Sequence, residues 1–399
     1  MRFLMLSTFY PPYSFGGDAS YLHRLTNELA ARGHEVDVVH CADAYRMLER
    51  GAPPTGVQNH PNVTVHTLRS RLGPLSPLIT QQTGRSGLKA RAIRELIEAR
   101  RFDVIHYHNM SLIGLDTLTM GKAVKLYTTH EHWLVCPMHV LWRNGREACT
   151  RRTCFSCQLV SRRPPQWWRA GGLLARTTRS IDRFLCPSRF TLRKHQELGF
   201  SGPVTHLPYF LPEQGPPSSR ASPHPRDYVL FVGRLEKLKG AQHLIEAFRT
   251  YRDTDLVIVG TGAYGRELRA LARDLPHVRF LGRLPYEEIR HWYQHALALA
   301  VPSICFEVFG IVILEAFAVS TPALVTPFGA LPEVIGDSGG GFVFQSQAEL
   351  VEQIEQLRRD RALRDELGRQ GHDAYRRWWT EEPHLQRYLG VIDEVLGSQ

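Results

Sequence analysis

Short apolar runs and amphipathic segments alternate along the first half of the chain. The apolar runs are rich in β-branched and aromatic residues, which is typical of buried strands: RFLML, EVDVVHC, VTVHTL, DVIHYHN and AVKLYTTH. Between them, ASYLHRLTNELAARG and GLKARAIRELIEARR have the spacing of helices with one buried face. Strands that alternate with helices favour a parallel, doubly wound sheet.

The same alternation restarts after residues 212–225, a Pro- and Ser-rich stretch that is typical of an interdomain linker. The later strands are predicted at YVLFVG, DLVIVG, VRFLG, ALALAVPS and ALVTP. We therefore predict an α/β protein with two Rossmann-like domains facing across a cleft, the first over residues 1–210 and the second over residues 211–380. A Cys- and Arg-rich segment, about 132–165, interrupts the first domain and is predicted to be an insertion.

Composition narrows the class of protein. With 43% apolar and 22% charged residues, the chain resembles an ordinary globular protein. No apolar run approaches the roughly 20 residues of a membrane span, and the N-terminus lacks a signal-peptide pattern, so we expect a cytoplasmic protein. The net charge of +10 suits a phosphate-bearing partner, namely a nucleotide, a nucleic acid or an anionic membrane, although a solvated Arg-rich surface also explains it.

The seven cysteines fall into two groups. Cys41, Cys186 and Cys305 lie among apolar residues and are predicted to be small buried side chains. The other four have the spacing C-x12-C-x4-C-x2-C: Cys136, Cys149, Cys154 and Cys157. This spacing is compatible with a structural zinc site, with free thiols or with a redox role. Three nearby histidines are expected at the cleft or the surface rather than as ligands: His108, His132 and His139.

Several loops after predicted strands suit anion binding, because ligands of such sheets lie at the carboxyl ends of strands. Gly16 and Gly17 precede a helix, where backbone amides can approach an anion, although an ordinary turn fits equally well. Arg234 and Lys239 flank a loop that opens another helix. Because cations are unfavourable at a helix N-terminus, this pair predicts a bound polyanion such as a diphosphate rather than a surface pair.

The loop VGTGAYGRE has the G-x-G-x-x-G spacing of a dinucleotide fingerprint. The acidic residue expected about 20 positions later, which would bind a ribose, is missing. A nicotinamide cofactor is therefore disfavoured, while Gly260 and Gly262 remain candidates for lining a nucleotide site.

Two carboxylates, Glu307 and Glu315, lie in the otherwise apolar segment CFEVFGIVILEAFA. Glu307 is predicted in the loop after a strand, and Glu315 in the buried helix that follows. A buried carboxylate is costly unless donors surround it. Hydroxyl groups of a polyol ligand would supply such donors, and an Arg from a neighbouring helix is the alternative.

These segments together resemble glycosyltransferase family 4. The resemblance rests on GGDASYLHRLTNELAARGHEV, FVGRLEKLKG, LVIVGTGAYGRELRALA and EVFGIVILEAFA with TPALVTPFGALPEVI, which follow the family's order over nearly the whole chain. Glu307 and Glu315 match its E-x7-E motif. The resemblance implies the GT-B fold, with a C-terminal helix over 381–399 crossing back to the first domain. It also implies sugar transfer from a nucleotide diphosphate with retained anomeric configuration and without a divalent metal.

The resemblance also implies residue roles. Glu307 would contact the donor sugar and Glu315 the ribose, while Arg234 and Lys239 would hold the diphosphate as the leaving group. The predicted catalytic residues are Glu307, Arg234, Lys239 and His130, which matches the family's cleft-facing histidine. The predicted donor-binding residues are Gly16, Gly17, Gly233, Gly260, Gly262, Phe309, Gly310, Ile311 and Glu315.

Three positions depart from the family pattern. Glu131 stands where Asp is frequent after the histidine, so its hydrogen bonding is open. Ser320 replaces a frequent Gly before TPALV, which requires a turn with φ below zero. Ala330 replaces the second Gly of a Gly-Gly pair, which would keep the loop near Glu333 further from the donor.

We therefore expect a retaining hexosyltransferase that uses a UDP- or GDP-sugar and a glycan, lipid-linked or natural-product hydroxyl acceptor. Trp167 and Trp168 beside Arg162 and Arg163 would allow peripheral contact with the inner face of an anionic membrane, unless these Trp side chains pack into the domain. A sugar-nucleotide epimerase is the alternative enzyme. A nucleic-acid-binding protein is the alternative class, which the loop chemistry disfavours, so no nucleic-acid partner is expected.

Overall fold

The computed structural model describes residues 1–49, 53, 56–150, 153–216 and 218–398, which form two compact units. The first unit comprises Met1–Pro208 and Leu385–Gln399, and the second comprises Tyr209–His384. The first boundary thus falls at residue 208 where the sequence predicted 210, and the second at 384 where it predicted 380.

The predicted linker belongs to the second unit and packs on it. The backbone N–H of Ser218 donates to Oε1 of Gln294 at 2.9 Å. The Nε2 atom of His224 lies 2.8 Å from Oδ2 of Asp255, with both side chains buried. The described part of 212–225 is therefore a loop packed on the second unit, close after the boundary between the units at Pro208.

The first unit is built on a parallel sheet. Its strands are β1 (Arg2–Leu6), β2 (Glu35–Cys41), β3 (Val63–Leu68), β4 (Val104–Tyr107), β5 (Val124–Thr128), β6 (Trp142–Arg143), β7 (Glu147–Ala148), β8 (Arg183–Cys186) and β9 (Val204–His206). The sheet order is β3-β2-β1-β4-β5-β8-β9, while β6 and β7 pair as an antiparallel hairpin inside the predicted insertion. Strands β4 and β5 are buried along their whole length, as continuous apolar strands covered on both faces should be.

The second unit repeats this plan. Its strands are β10 (Tyr228–Val232), β11 (Asp255–Val259), β12 (Val278–Gly282), β13 (Ala298–Val301), β14 (Ala323–Val325) and β15 (Gly341–Val343), in the parallel order β12-β11-β10-β13-β14-β15. In each sheet the direction of strand addition reverses at one point: between β1 and β4 in the first and between β10 and β13 in the second. Ligands of doubly wound sheets bind outside the carboxyl ends of the strands at this reversal.

Helices cover both sheets. Those of the first unit are α1 (Gly17–Ala31), α2 (Ala42–Leu48), α3 (Leu75–Thr83), α4 (Lys89–Ala99), α5 (Cys154–Val160), α6 (Leu173–Thr178) and α7 (Arg189–Glu197). The others are α8 (Ala241–Thr250), α9 (Gly265–Leu271), α10 (Tyr286–His295), α11 (Ile311–Phe317), α12 (Leu331–Ser338), α13 (Gln347–Arg359), α14 (Arg361–Trp378) and α15 (Glu381–Gly397). In the described part of the chain, no helix is long and apolar enough to span a bilayer.

Helix α15 contributes to the core of the first unit. Tyr388 is fully buried, its hydroxyl lies 2.9 Å from Nδ1 of His106 in β4, and its ring lies 6.3 Å from that of Phe3 in β1. A segment late in the chain therefore completes the packing of strands formed by the earliest residues.

The turn at Ser320 differs from the prediction. Its φ is +57°, so the backbone of Ser320 is in the left-handed region, and the expectation of a negative φ was wrong. For a residue with a Cβ atom this conformation costs about 1 kcal/mol or more, whereas glycine adopts it without that penalty.

We expect Ser320→Gly to stabilise the second unit by up to about 1 kcal/mol, which raises its melting temperature by about 2–4 °C. The matched control is Ser161→Gly, at a position with φ −81°, where added backbone freedom should leave stability unchanged or lower it. Differential scanning calorimetry of both variants checks this. An unchanged or lowered melting temperature in Ser320→Gly would show that the turn is not strained.

Candidate functional site

The predicted cations and the first glutamate of the motif meet at the reversal of the second sheet. Arg234 and Lys239 lie in the loop after β10, and Glu307 lies in the loop after the neighbouring strand β13. The two loops are joined by a hydrogen bond from the Ile304 backbone N–H to the Leu238 carbonyl at 2.9 Å. Folding therefore brings together residues that are about 70 positions apart in sequence.

Glu307 is held by two donors. The Nζ atom of Lys239 donates to Oε1 of Glu307 at 2.7 Å, and the hydroxyl of Ser303 donates to the same oxygen at 2.5 Å. The Glu307 side chain is 13% exposed. A charged pair at this depth is fixed in orientation, because loss of either partner leaves the other charge in a poorly solvated place.

Both charges are maintained by their mutual contact. Burial raises the pKa of Glu307, but the Lys239 ammonium and the two hydrogen bonds outweigh it and leave the pKa below its usual value. Burial lowers the pKa of Lys239, but the attraction of Glu307 leaves it above its usual value. The pair is therefore ionised throughout the neutral range, with an ammonium available for a negatively charged ligand.

Arg234 lies close enough to act on the same site. Its positive charge lowers the pKa of Lys239 and also that of Glu307. The guanidinium forms an ion pair with Glu236 at 2.7 Å, and half of the side chain is exposed. Two neighbouring cations with one partly solvated guanidinium form a receptor suited to several negative charges, such as those of a diphosphate.

Glu315 lies on α11, the helix that follows Glu307. Its Oε2 accepts a hydrogen bond from the Tyr293 hydroxyl at 3.1 Å. The helix is not buried all round, since Ile311, Val312 and Glu315 form its less buried side. Tyr293 of α10 thus donates the hydrogen bond that was expected from a ligand hydroxyl or from an arginine.

Gly260 and Gly262 lie against the loop that carries Arg234. A Cβ atom at Gly260 would lie 1.9 Å from the carbonyl oxygen of Gly233, and one at Gly262 would lie 2.4 Å from that of Leu235. Both positions need glycine because two backbones touch there. This contact accounts for the fingerprint-like spacing without a dinucleotide, and a direct role in donor binding stays a prediction.

Phe309 and Gly310 form the turn into α11. The Phe309 side chain is buried, with its ring edge-on to Tyr209 at 5.5 Å and to Trp379 at 6.2 Å. Only the backbone of Phe309 can therefore contact a ligand, while Gly310, with φ +98°, makes the turn.

Gly329 and Ala330 contact the backbone of Glu307. The Ala330 backbone N–H donates to the Glu307 carbonyl at 2.9 Å, and a Cβ at Gly329 would lie 2.3 Å from the Glu307 nitrogen. The first glycine of the family's pair is thus required by packing. Ala330 has φ −83° and is fully buried, so its methyl group fits without strain.

In the first unit, the predicted glycines and His130 surround the other reversal. Gly16, with φ +99°, precedes α1, which begins at Gly17. Asp18 places a carboxylate in the first turn of α1, where it already interacts favourably with the helix dipole. Phosphate binding at Gly16 and Gly17 therefore stays a prediction.

His130 follows β5 and is buried. Its Nε2 lies 2.8 Å from Nδ1 of His108, and the two rings stack at 5.1 Å. Burial lowers the pKa of His130 to about 3, so the imidazole is neutral at physiological pH. The neighbouring Glu131, which stands where Asp is frequent in the family, has its Oε2 at 2.7 Å from Nδ1 of His139. His139 is therefore the partner of this carboxylate.

Two histidines expected at the cleft or the surface are buried. His108 and His132 are each 1% exposed, and His132 packs against the rings of Phe190 and His195. A surface position is therefore wrong for both residues.

The four clustered cysteines line one small pocket together with Met138 and Trp142. They are Cys136, Cys149, Cys154 and Cys157, and none of them forms a disulfide. The Asn144 backbone N–H donates to Sγ of Cys157 at 3.3 Å. Among the residues that the structure describes, no group of three or more His, Cys, Asp or Glu side chains is arranged to hold a metal ion. The structural zinc site stays a prediction beside the free-thiol and redox alternatives.

A separate cavity of about 280 Å³ lies where β10, β13 and β14 begin, and Gln294, Ser320 and Arg361 are among its lining residues. It is at the edge of the sheet opposite to Lys239 and Glu307. It contains none of the predicted site residues.

Sequence reasoning missed Ser303, Tyr293 and Gly329. Ser303 lies two positions after the end of β13 and precedes Glu307 by four positions, so the loop position was a usable signal. Tyr293 and Gly329 reach the site only through helix packing and loop crossing, which no local pattern reveals.

Two family models match the chain. One, described as Glycosyltransferase Family 4, matches residues 15–212, and the other, described as Glycosyl transferases group 1, matches residues 217–374. The chain belongs to glycosyltransferase family 4 and is an enzyme that transfers a glycosyl group from a nucleotide sugar. A D-inositol 3-phosphate glycosyltransferase from Corynebacterium kroppenstedtii is 26% identical over 93% of this chain and 84% of its own length.

Solved structures show the same fold. Sucrose-phosphate synthase from Thermosynechococcus elongatus has a TM-score of 0.78 at 19% identity, with both chains fully covered. Anabaena HepE, solved in complex with UDP and glucose, has a TM-score of 0.71 at 20% identity, again with full coverage of both chains. The predicted GT-B fold is confirmed, and these comparisons give no support to an epimerase.

Proposed function

We propose that the protein transfers a hexose from a UDP- or GDP-sugar to a hydroxyl group and retains the anomeric configuration. The observation that carries this proposal is the Lys239–Glu307 pair beside Arg234, at the carboxyl ends of two strands where the sheet order reverses. This is where doubly wound sheets bind nucleotides, and the charges suit a diphosphate next to a sugar.

The cations would act on the leaving group. When the bond between the anomeric carbon and the diphosphate oxygen breaks, negative charge accumulates on the diphosphate, and Lys239 and Arg234 stabilise it. Glu307 keeps Lys239 charged and oriented, and presents its carboxylate to the hydroxyls of the donor sugar. This arrangement performs by fixed side-chain charges what a divalent ion does in other enzymes.

Retention follows from a front-face route in this proposal. The acceptor oxygen forms its bond to the anomeric carbon on the side that the diphosphate leaves, and the acceptor proton passes to the departing phosphate oxygen. No carboxylate need form a covalent intermediate. The anomeric configuration of the product, measured by proton coupling in NMR, tests retention, and a trapped glycosyl-enzyme would refute the front-face route.

The acceptor is proposed as a glycan, lipid-linked or natural-product hydroxyl. The name of the Corynebacterium relative specifies D-inositol 3-phosphate, a polyol, which supports a hydroxyl acceptor. The seven-stranded order of the described first sheet provides a second reversal point for this substrate, between β1 and β4.

We expect sugar nucleotides of one base to stabilise the protein in a thermal-shift panel of UDP-, GDP-, ADP- and dTDP-sugars. At a hundredfold excess over Kd the gain is about 2.7 kcal/mol. Glu315→Gln should lose most of this gain because the charged acceptor for ribose hydroxyls is removed. The matched control Glu352→Gln, at an exposed position of α13, should keep it.

A lack of stabilisation by every sugar nucleotide would contradict the donor assignment. Equal stabilisation of Glu315→Gln and the wild type would contradict the role of Glu315 alone.

A parallel series with EDTA and without ligand addresses the cysteines. If they hold a structural zinc ion, EDTA should lower the melting temperature and elemental analysis should find zinc, whereas free thiols predict neither result.

A further inference from the structure

One side of the first unit exposes apolar side chains in unusual concentration. Of the fifteen large apolar side chains that are exposed among the described residues, nine fall within residues 72–88 and 155–167. Their exposed fractions run from 41% to 69%: Leu72, Leu75, Leu78, Ile79, Leu88, Phe155, Leu159, Val160 and Trp167. We refer to these nine side chains and the arginines beside them as the apolar-basic face.

The two segments pack directly on each other. The indole nitrogen of Trp168 donates to the carbonyl of Gln81 at 2.9 Å, which joins the second segment to α3. The rings of Phe155 and Trp167 lie 5.1 Å apart, which joins α5 to the Trp pair. These contacts place α3, α5 and the Trp pair side by side, and exposed apolar regions of this kind mark interaction sites.

The charged side chains within these two segments are all cationic, and the nearby carboxylate of Asp116 is engaged by the backbone N–H and hydroxyl of Ser86. Residues 69–94 and 148–181 contain no Asp or Glu, although both are rich in Arg. Four of these arginines are exposed and form no ion pair with a carboxylate among the described residues: Arg71, Arg85, Arg162 and Arg163. A positively charged rim around apolar side chains is complementary to a surface that is anionic outside and apolar within.

We propose that the apolar-basic face binds the surface of an anionic lipid bilayer. Leu, Ile, Val and Phe side chains enter the boundary between headgroups and acyl chains, Trp167 lies at the headgroup level, and the arginines contact lipid phosphates. The proposal is independent of the catalysed reaction, because it rests on a surface of the first unit and has a binding readout.

Other partners fit this face less well. A second copy of the chain would bring unpaired arginines against arginines, which is repulsive. A nucleic acid would neutralise the arginines, but it offers no apolar phase for Leu75, Ile79 and Val160. An anionic bilayer satisfies both features at once.

The test is co-sedimentation of the full chain with vesicles of phosphatidylglycerol and phosphatidylcholine in equal parts, and with vesicles of phosphatidylcholine alone. We expect binding to the anionic vesicles that weakens with added salt. The double variant Leu75→Gln/Ile79→Gln should reduce the partition coefficient about tenfold or more. Arg162→Gln/Arg163→Gln should reduce it about fivefold for each arginine removed.

The matched control is Leu396→Gln, which alters a side chain that is 50% exposed on α15, outside the face. It should bind as the wild type does. All substituted positions are exposed, and unchanged circular dichroism and melting temperature establish that the variants fold. Absence of binding by the wild type, equal binding to both kinds of vesicle, or unchanged binding by the Leu75→Gln/Ile79→Gln variant would overturn the proposal. Self-association in sedimentation equilibrium that these variants abolish would instead assign the face to a second copy.

Discussion

Lys239→Ala is expected to lower kcat/KM about 10²–10³-fold, whereas Lys237→Ala should change it less than about twofold. Lys239 donates to Glu307 at the carboxyl end of the second sheet, while Lys237, two positions away in the same turn, is exposed. If Lys239 stabilises the departing diphosphate, its removal acts mainly on the transition state and therefore on kcat. Steady-state kinetics with the donor identified by thermal shift measures both variants.

A purely structural role for Lys239 makes a different prediction. Removing the ammonium leaves Glu307 without its charged partner, so Lys239→Ala is also expected to be less stable than the wild type, by about 1–3 kcal/mol. The double variant Lys239→Ala/Glu307→Gln removes the uncompensated charge and should recover much of that stability, yet stay inactive. Recovery of activity together with stability would show that Lys239 only holds Glu307.

Acidification from pH 6.5 to 5 is expected to destabilise the first unit by about 2 kcal/mol for each deeply buried neutral histidine. Burial lowers the pKa of His130 to about 3 and that of His40 to about 4. As the pH falls below about 6.5, the unfolded chain takes up protons at these imidazoles while the folded chain does not. Stability is therefore complete above pH 6.5 and declines as the pH approaches the folded pKa values.

Hydrogen exchange measured by mass spectrometry on peptides of β4 and β5 at pH 7 and pH 5, corrected for the intrinsic exchange rate, reports this loss locally. His130→Gln should make the decline shallower, because one titrating group is removed. A slope that is the same in the wild type and in His130→Gln would exclude His130 as a source of the pH dependence.

Most strands of the two parallel sheets were predictable, because strands buried on two faces are continuous apolar runs. Strand β15, which has three half-buried residues, was not predicted. Helices such as α2, which has seven residues directly after β2, were missed because their signal is short. Helix α13 was missed although Ser346 and Glu349 form its N-terminal cap, with the Glu349 N–H donating to the Ser346 hydroxyl at 3.2 Å. That signal was present in the sequence and was not used.

The candidate site was predictable in part, because some of its features are local in sequence. Loops at the carboxyl ends of strands and the spacing of Glu307 and Glu315 are sequence features, and they located the cations and carboxylates. The pairing of Lys239 with Glu307 was not predictable, because it depends on β10 and β13 being neighbours, a property of topology. The positive φ of Ser320 also escaped prediction, since a serine there contradicts its local preference.

The return of Leu385–Gln399 to the first unit sets the order in which the two units can mature during synthesis. The second unit is a single stretch, Tyr209–His384, and all of its strands and helices α8–α14 are translated before Tyr388. The first unit must wait with β1 and β4 uncovered at the position that Tyr388 fills. The unit that is translated first is thus the unit that is completed last. While its sheet is exposed, the nascent chain has its greatest need of a chaperone.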